Sequence, residues 1–189
     1  MRLKEAVTLT VLALLAVTGC IPLSINPLYQ DGEVISIEGI EGLWVIEGTS
    51  DWIRFQVDTL DPGYILTMSE DDESTSVFEA RPVRVGDMLM IDLFPAEPTE
   101  ETLGEFYQGH LVPVHSFYRI DEVGTRLGIS TLEYDWLTSI LTDHPDEIAH
   151  IWAEEVPILT ASTKEIQAFL LKYAVDHDAW TEVAEYVRK

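Results

Sequence analysis

The sequence predicts an α+β protein in which an antiparallel β-sheet, strongly curled or closed into a barrel, is followed by C-terminal helices. From residue 42 to about residue 132, apolar and polar residues alternate with a period of two, and turn residues interrupt them at short intervals. Beyond residue 132 the apolar residues recur at helical spacing. Of the 189 residues, 47% are hydrophobic, which is enough to build a core without disulfides.

The chain begins with the residue order of a secretion signal. A positively charged start precedes an uncharged apolar run over residues 7–17, and two small residues then lead into Cys20, the only cysteine. The run is too short to cross a bilayer, which needs ~20 apolar residues. We therefore expect residues 1–19 to be a signal peptide that is removed on export.

This segment resembles the signal of bacterial lipoproteins. The resemblance implies that Cys20 carries fatty acyl chains such as palmitate, becomes the first residue of the mature protein and holds it on a membrane of the cell envelope. Ile21, rather than an aspartate, follows the cysteine. In a host with two membranes, this implies the periplasmic side of the outer membrane.

The charge of the chain restricts its partners. Removing residues 1–19 takes away two basic residues and one acidic residue, which leaves 9 Lys and Arg against 33 Asp and Glu, a net charge of −24. Such a charge argues against nucleic acid and against electrostatic adsorption to anionic lipid. The membrane is therefore expected as a partner through the lipid anchor alone.

Residues 20–41 are expected to form the lipidated N-terminus and a tether. Pro22 and Pro27 interrupt regular pairing, so a spacer that lets the globule stand off the membrane is predicted here.

Residues 42–132 are expected to form the β domain, with about seven strands joined by short turns. Asp61-Pro62-Gly63 favours a tight turn, because proline presets φ at the second position and glycine accepts a positive φ. Residues 88–94 are apolar on both faces, which is typical of a central strand. The predicted strands cover residues 42–46, 53–57, 64–68, 76–80, 88–94, 111–120 and 127–132.

Residues 133–189 are expected to form a helical region packed on the sheet. Apolar residues at helical spacing over residues 136–141 predict a first helix. Pro145 starts a second, which ends near Trp152. Residues 156–160 are compatible with a short strand. Ser162 and Glu165 form a capping box before a third helix that runs to about Asp176.

Gly42-Leu43-Trp44, at the start of the first predicted strand, is similar to the G-x-W of lipocalins. The resemblance implies a lipocalin-like barrel in which Trp44 packs across the floor. That family also has an arginine that stacks on the tryptophan. The sequence alone does not indicate which arginine of this chain would take that role.

A wider set of segments resembles a group of uncharacterised bacterial lipoproteins. This second resemblance implies architecture and export but carries no activity. The shared segments are residues 26–29, 42–48, 89–95, 110–117 and 159–171.

The histidines do not predict a metal site. His110 and His115 lie five residues apart near a strand start, which places them on opposite faces of an extended chain. His144 and His150 would lie on different faces of one helix. We therefore expect no metal and no cofactor.

Acidic residues suggest two further sites, each with a structural alternative. The run at residues 70–73 lacks the spacing of a calcium loop, so a solvated hairpin tip is the preferred interpretation. Asp92 interrupts an apolar strand and needs a partner if buried, for which Arg81, Arg84 and Arg119 are candidates. Motifs for nucleophilic catalysis are absent from the sequence, and no catalytic residue is predicted.

Aromatic residues of the β domain have two possible roles. Trp44, Trp52, Tyr64 and Phe117 either line a cavity for an apolar ligand or simply fill the core. The sequence therefore predicts an anchored envelope lipoprotein that acts as a non-enzymatic binding or interaction module, with an apolar ligand or another envelope protein as partner. Its alternatives are a hydrolase that uses acidic residues and a carrier of an apolar ligand.

Overall fold

A computed structural model describes residues 21–69, 75–96 and 112–189 of the chain. The predicted signal peptide, Cys20, the acidic run at residues 70–73 and His110 lie outside the described residues. Within the described ranges, no helix combines the length and apolar character needed to cross a membrane.

The described chain contains eleven β-strands and two α-helices. The helices are α1 (Tyr134–Asp143) and α2 (Thr163–Lys172), and a 3₁₀ turn covers His177–Ala179. The strands are β1 (Leu23–Ser24), β2 (Gly42–Val45), β3 (Trp52–Val57), β4 (Tyr64–Ser69), β5 (Thr75–Val85), β6 (Met88–Pro95), β7 (His115–Val123), β8 (Arg126–Ser130), β9 (His150–Ala153), β10 (Val156–Leu159) and β11 (Ala184–Arg188).

Eight of these strands close into an antiparallel barrel, which confirms the predicted fold class. The seven strands from β2 to β8 follow one another as an up-and-down series, as the sequence predicts. The eighth strand, β11, was not predicted; it pairs with both β8 and β2 and thereby closes the ring. Closure removes the exposed strand edges that an open sheet would present.

Apolar side chains fill the barrel because each strand alternates between its two faces. Ile53 and Phe55 of β3, and Tyr64 and Leu66 of β4, point into the interior, whereas Arg54 points to solvent. The chain turns between β3 and β4 over residues 58–63, with glycine at a positive φ as predicted: Gly63 has φ 117°, and a Cβ there would lie 2.6 Å from the backbone oxygen of Ala80. Leucine, isoleucine and aromatic residues thus form one continuous core.

A second core lies between the outer wall of the barrel and the helices. Outward side chains of β5, β6 and β7 supply Val83, Met90 and Phe117. The helices supply the residues opposite them, Leu137, Leu141, Ile166, Phe169 and Leu170. The capping box forms as predicted, since Glu165 accepts hydrogen bonds from the backbone N–H of Ser162 at 2.9 Å and from its hydroxyl at 2.6 Å.

The helix predicted to end near Trp152 is wrong. That region instead forms β9, which pairs with β10 as a hairpin through a turn where Glu154 adopts φ 57°. Ile151 and Trp152 are β-branched and aromatic residues that favour an extended chain. The partner strand at residues 156–159 supplies the pairing that makes a strand preferable to a short isolated helix.

The segment predicted to be a tether is folded against the barrel over residues 21–41, which we name the N-terminal strap. Its first part, β1, lies between β7 and β10. Leu28 is fully buried, and the N–H of Ile35 donates to the oxygen of Pro82 at 2.9 Å. Pro22 and Pro27 flank a two-residue strand and do not prevent it from pairing. The apolar residues that lie between polar ones in the strap provide its buried side chains.

Shortening Leu28 to alanine tests whether the strap is part of the fold. Leu28→Ala should lower the free energy of unfolding by about 2–5 kcal/mol, because it leaves a cavity in the second core. The matched control, Leu60→Ala, removes a side chain that is 90% exposed and should change stability by less than about 0.5 kcal/mol. Urea denaturation of both variants measures the difference, and equal midpoints would show that the segment is a tether after all.

Candidate functional site

The barrel has two different ends. At the floor, β3 leads into β4 and the strap crosses the barrel at residues 37–40. At the mouth, β4 and β6 end and β5 and β7 begin. The strap starts at the mouth, runs along the outside and reaches the floor, so it contacts both ends of the same barrel.

Trp44 and Tyr64 fasten the strap across the floor. The indole N–H of Trp44 donates to the oxygen of Ile40 at 2.7 Å, and the ring is fully buried. The Tyr64 hydroxyl accepts from the N–H of Ile37 at 2.8 Å and donates to the same residue's oxygen at 3.2 Å. These bonds satisfy backbone groups that would otherwise be buried without partners.

Arg188, at the end of β11, lies over Trp44 with its guanidinium carbon 4.4 Å from the ring centroid. It donates to the oxygen of Glu41 at 2.6 Å and to that of Gly39. Gly42 has φ 123°, a backbone conformation that favours glycine, and a Cβ there would lie 2.9 Å from a nitrogen of Arg188. Arg188 therefore occupies the place of the arginine that the lipocalin resemblance implied.

Among the residues that the structure describes, apolar side chains fill most of the interior above the floor. They leave an apolar cavity of about 30 Å³, lined by Ile21, Ile53, Phe55, Leu66, Met68, Ile91, Leu93, Tyr118, Ile129 and Tyr186. A space of this size accommodates about one water, whereas small-molecule pockets occupy ~300–1,000 Å³. Ile21 is the first described residue of the chain, and it lies in the lining of this cavity.

Two tyrosines share this interior and stay uncharged there. Burial raises the pKa of Tyr118 to about 12, and it also raises the pKa of Tyr186. A phenolate in an apolar barrel would lose its hydration without a compensating cation, so both groups remain neutral hydroxyls at physiological pH.

The four residues predicted to bind a ligand do not line one cavity. Trp44 and Tyr64 belong to the floor, where their polar atoms are occupied by the strap. Trp52 lies on the outer wall beneath the guanidinium of Arg54, at 5.8 Å, and Phe117 packs in the second core. Alternation along each strand explains the division, because neighbours in sequence point to opposite faces.

Asp92 is the most deeply buried carboxylate that the sequence singled out. Its side chain is 0% exposed, and one oxygen lies 2.7 Å from Nδ1 of His115. The other oxygen accepts the N–H of Leu28, in the strap, at 2.6 Å. The arrangement holds three elements together: β6, β7 and the strap.

The prediction that an arginine partners Asp92 is wrong. Arg81 binds Asp58 at 2.9 Å and Glu79 at 2.8 Å, and Arg119 binds Asp121 at 2.7 Å. The partner comes instead from the strap backbone and from a histidine on β7, neither of which sequence spacing identifies.

The remaining histidines of the described chain do not converge. Nδ1 of His150 lies 2.8 Å from the oxygen of Ile148, and its ring packs edge-on against Trp152 at 5.6 Å. Among the residues that the structure describes, no group of three potential ligands is close enough to hold a metal ion.

Comparisons of this chain with protein-family models, with curated proteins and with solved structures found no match. The geometry itself is that of a lipocalin-like barrel with C-terminal helices: eight antiparallel strands, a tryptophan at the floor and an arginine stacked on it from the last strand.

Replacing Arg188 tests whether it closes the floor. Arg188→Ala should cost about 1–3 kcal/mol, because it removes charge-assisted hydrogen bonds and the contact with the Trp44 ring. The control Arg126→Ala breaks an ion pair with Glu185 between two exposed side chains and should cost less than about 1 kcal/mol. Thermal unfolding compares the two, and a larger loss for Arg126→Ala would contradict the assignment.

Removing the Asp92 carboxylate tests the junction with the strap. Asp92→Ala should cost about 3–5 kcal/mol, since it leaves a buried N–H and imidazole without their partner. In Asp92→Ala, the Leu28 amide should exchange its hydrogen faster than in the control variant Glu185→Ala, which removes only an exposed carboxylate. An unchanged Leu28 amide would show that Asp92 does not hold the strap.

Proposed function

We propose that this protein is a lipid-anchored envelope protein in which the barrel acts as a non-enzymatic interaction module. The residue order before Cys20 supports export and acylation of that cysteine. The net charge of −24 after removal of residues 1–19 gives the body no electrostatic attraction to an anionic surface, so the acyl chains provide the attachment.

The observation that carries the proposal is the position of Ile21 in the mouth of the barrel. Consecutive Cα atoms are ~3.8 Å apart, so an acylated residue 20 is joined directly to the folded domain. The predicted spacer is absent from residues 21–41, because the strap is packed along the barrel. An anchor attached in this way brings the mouth end, rather than the floor, close to the membrane.

The filled interior favours an interaction module over a carrier. A cavity of about 30 Å³ holds no acyl chain or small ligand unless Ile21 and its neighbours move aside. The hydrolase alternative has less support, because Asp92 is fully buried and both of its oxygens already have partners. The outer surfaces near the mouth are therefore the better candidates for contact with a partner.

Cys20→Ala tests the anchor. The variant should lose membrane association, whereas Leu60→Ala, which changes an exposed side chain at the floor end, should retain it. Detergent phase partition and the intact mass of the native protein measure both properties. A free thiol at Cys20 in the native protein, or membrane association of Cys20→Ala, would contradict the proposal.

A further inference from the structure

Three strands extend the barrel wall beyond its mouth. β7 pairs with β1 through its first two residues, β1 pairs with β10, and β10 pairs with β9. The resulting small sheet begins at the barrel and ends at β9, which has no further partner among the described strands.

One face of this small sheet is covered by the second core. Leu159 of β10 and Ser24 of β1 are fully buried, and His115 of β7 is 8% exposed. These three residues are aligned across the sheet by register, together with His150 of β9. The side chains that β1, β7 and β10 place on this face are therefore inside the protein, whereas Trp152 of β9, on the same face, is 43% exposed.

The opposite face is apolar and lies partly in solvent. Register aligns Leu23, Ile158 and Ile151 in one row that continues from Ser116 of β7. Val156 and Ala153 form the adjacent row of β10 and β9, and Ile25 follows Leu23 by two residues. We name these six residues the apolar sheet face: Leu23, Ile25, Ile151, Ala153, Val156 and Ile158.

The composition of this face differs from that of an ordinary solvated sheet surface. The small sheet is mixed, since β1 and β10 pair in parallel, and a sheet with one wet face normally carries polar residues there. Here all six residues are apolar, and Ile25 and Ile151 are 44% and 51% exposed. An exposed apolar surface of this kind marks a site of contact with a protein or a membrane.

The position of the predicted lipidated N-terminus indicates what covers the apolar sheet face. Ile21 lies in the barrel mouth, two residues before Leu23 of the apolar sheet face, and Cys20 directly precedes it. We infer that the apolar sheet face lies against the boundary between headgroups and hydrocarbon of the bilayer that carries the anchor. This inference rests on the proposed acylation of Cys20, which starts the lipid chains beside the face.

The surroundings of the face fit a shallow contact. Glu154 and Glu155 form the exposed turn between β9 and β10, and carboxylates stay at the water side of a bilayer. The tip of the hairpin is thus suited to the headgroup level, and the six apolar side chains are suited to the layer beneath it.

A single label on the acylated protein tests the inference. Cys20 is the only cysteine, so Ile151→Cys supplies one free thiol once Cys20 is acylated. The variant is labelled with an environment-sensitive fluorophore and reconstituted into phosphatidylcholine vesicles with and without doxyl-labelled lipid. The matched control is Leu60→Cys, at the floor end of the barrel, where the side chain is 90% exposed.

The label at residue 151 should shift to the blue on reconstitution, and doxyl lipid should quench it several-fold more strongly than the label at residue 60. Equal, water-like emission at both positions on vesicles would overturn the inference while the anchor stands. Failure of the protein to float with vesicles would instead refute the proposed anchor.

Two further outcomes complete the test. A label at residue 151 that is shielded from water but insensitive to doxyl lipid would mean that a protein surface covers the face, which also overturns the inference. Ala153→Cys places a second label on the same face, so a folding defect of Ile151→Cys does not remove the test. Its quenching should match that at residue 151.

Discussion

The bond between the Asp92 carboxylate and the strap is the constraint on which the N-terminal half of the structure depends. A carboxylate that is 0% exposed requires partners, because removing an ion from water costs several kcal/mol. Asp92 finds them in His115 on the adjacent strand and in the N–H of Leu28. Since a backbone amide serves as one partner, the strap is fixed in one register along the barrel.

That register determines what happens at both ends of the barrel. Downstream of Leu28 the chain reaches the floor, where Ile37 and Ile40 bond to Tyr64 and Trp44. Upstream it reaches the mouth, where Ile21 lines the interior cavity. One segment therefore contacts both ends of the barrel, and it brings the predicted anchor beside the domain rather than at the end of a spacer.

Local sequence patterns predict much of this fold but not the strand that closes the barrel. The strands from β2 to β8 follow from alternation and turn residues, and α2 follows from its capping box. β11 escapes such analysis, because only Ala184 and Tyr186 of its five residues contribute to the barrel core. Arg188 was missed because its contacts with Glu41 and Gly39 join residues that lie 147 and 149 positions apart in the sequence. The partners of Asp92, His115 and Leu28, lie 23 and 64 residues away in the sequence, so spacing alone favoured the wrong arginines.

The acidic charge of the protein and its proposed attachment to a membrane are compatible if orientation is selective. Carboxylates distributed over the surface are repelled by anionic headgroups only within about a Debye length, ~8 Å at physiological ionic strength. A face without ionisable groups is the one that approaches a bilayer at the lowest electrostatic cost, and burial of apolar area there is favourable. The apolar sheet face has this composition. Its first residue, Leu23, follows the proposed anchor residue Cys20 by three positions in the sequence. In the proposed arrangement, repulsion elsewhere and apolar contact here thus select the same orientation, with the mouth of the barrel toward the membrane.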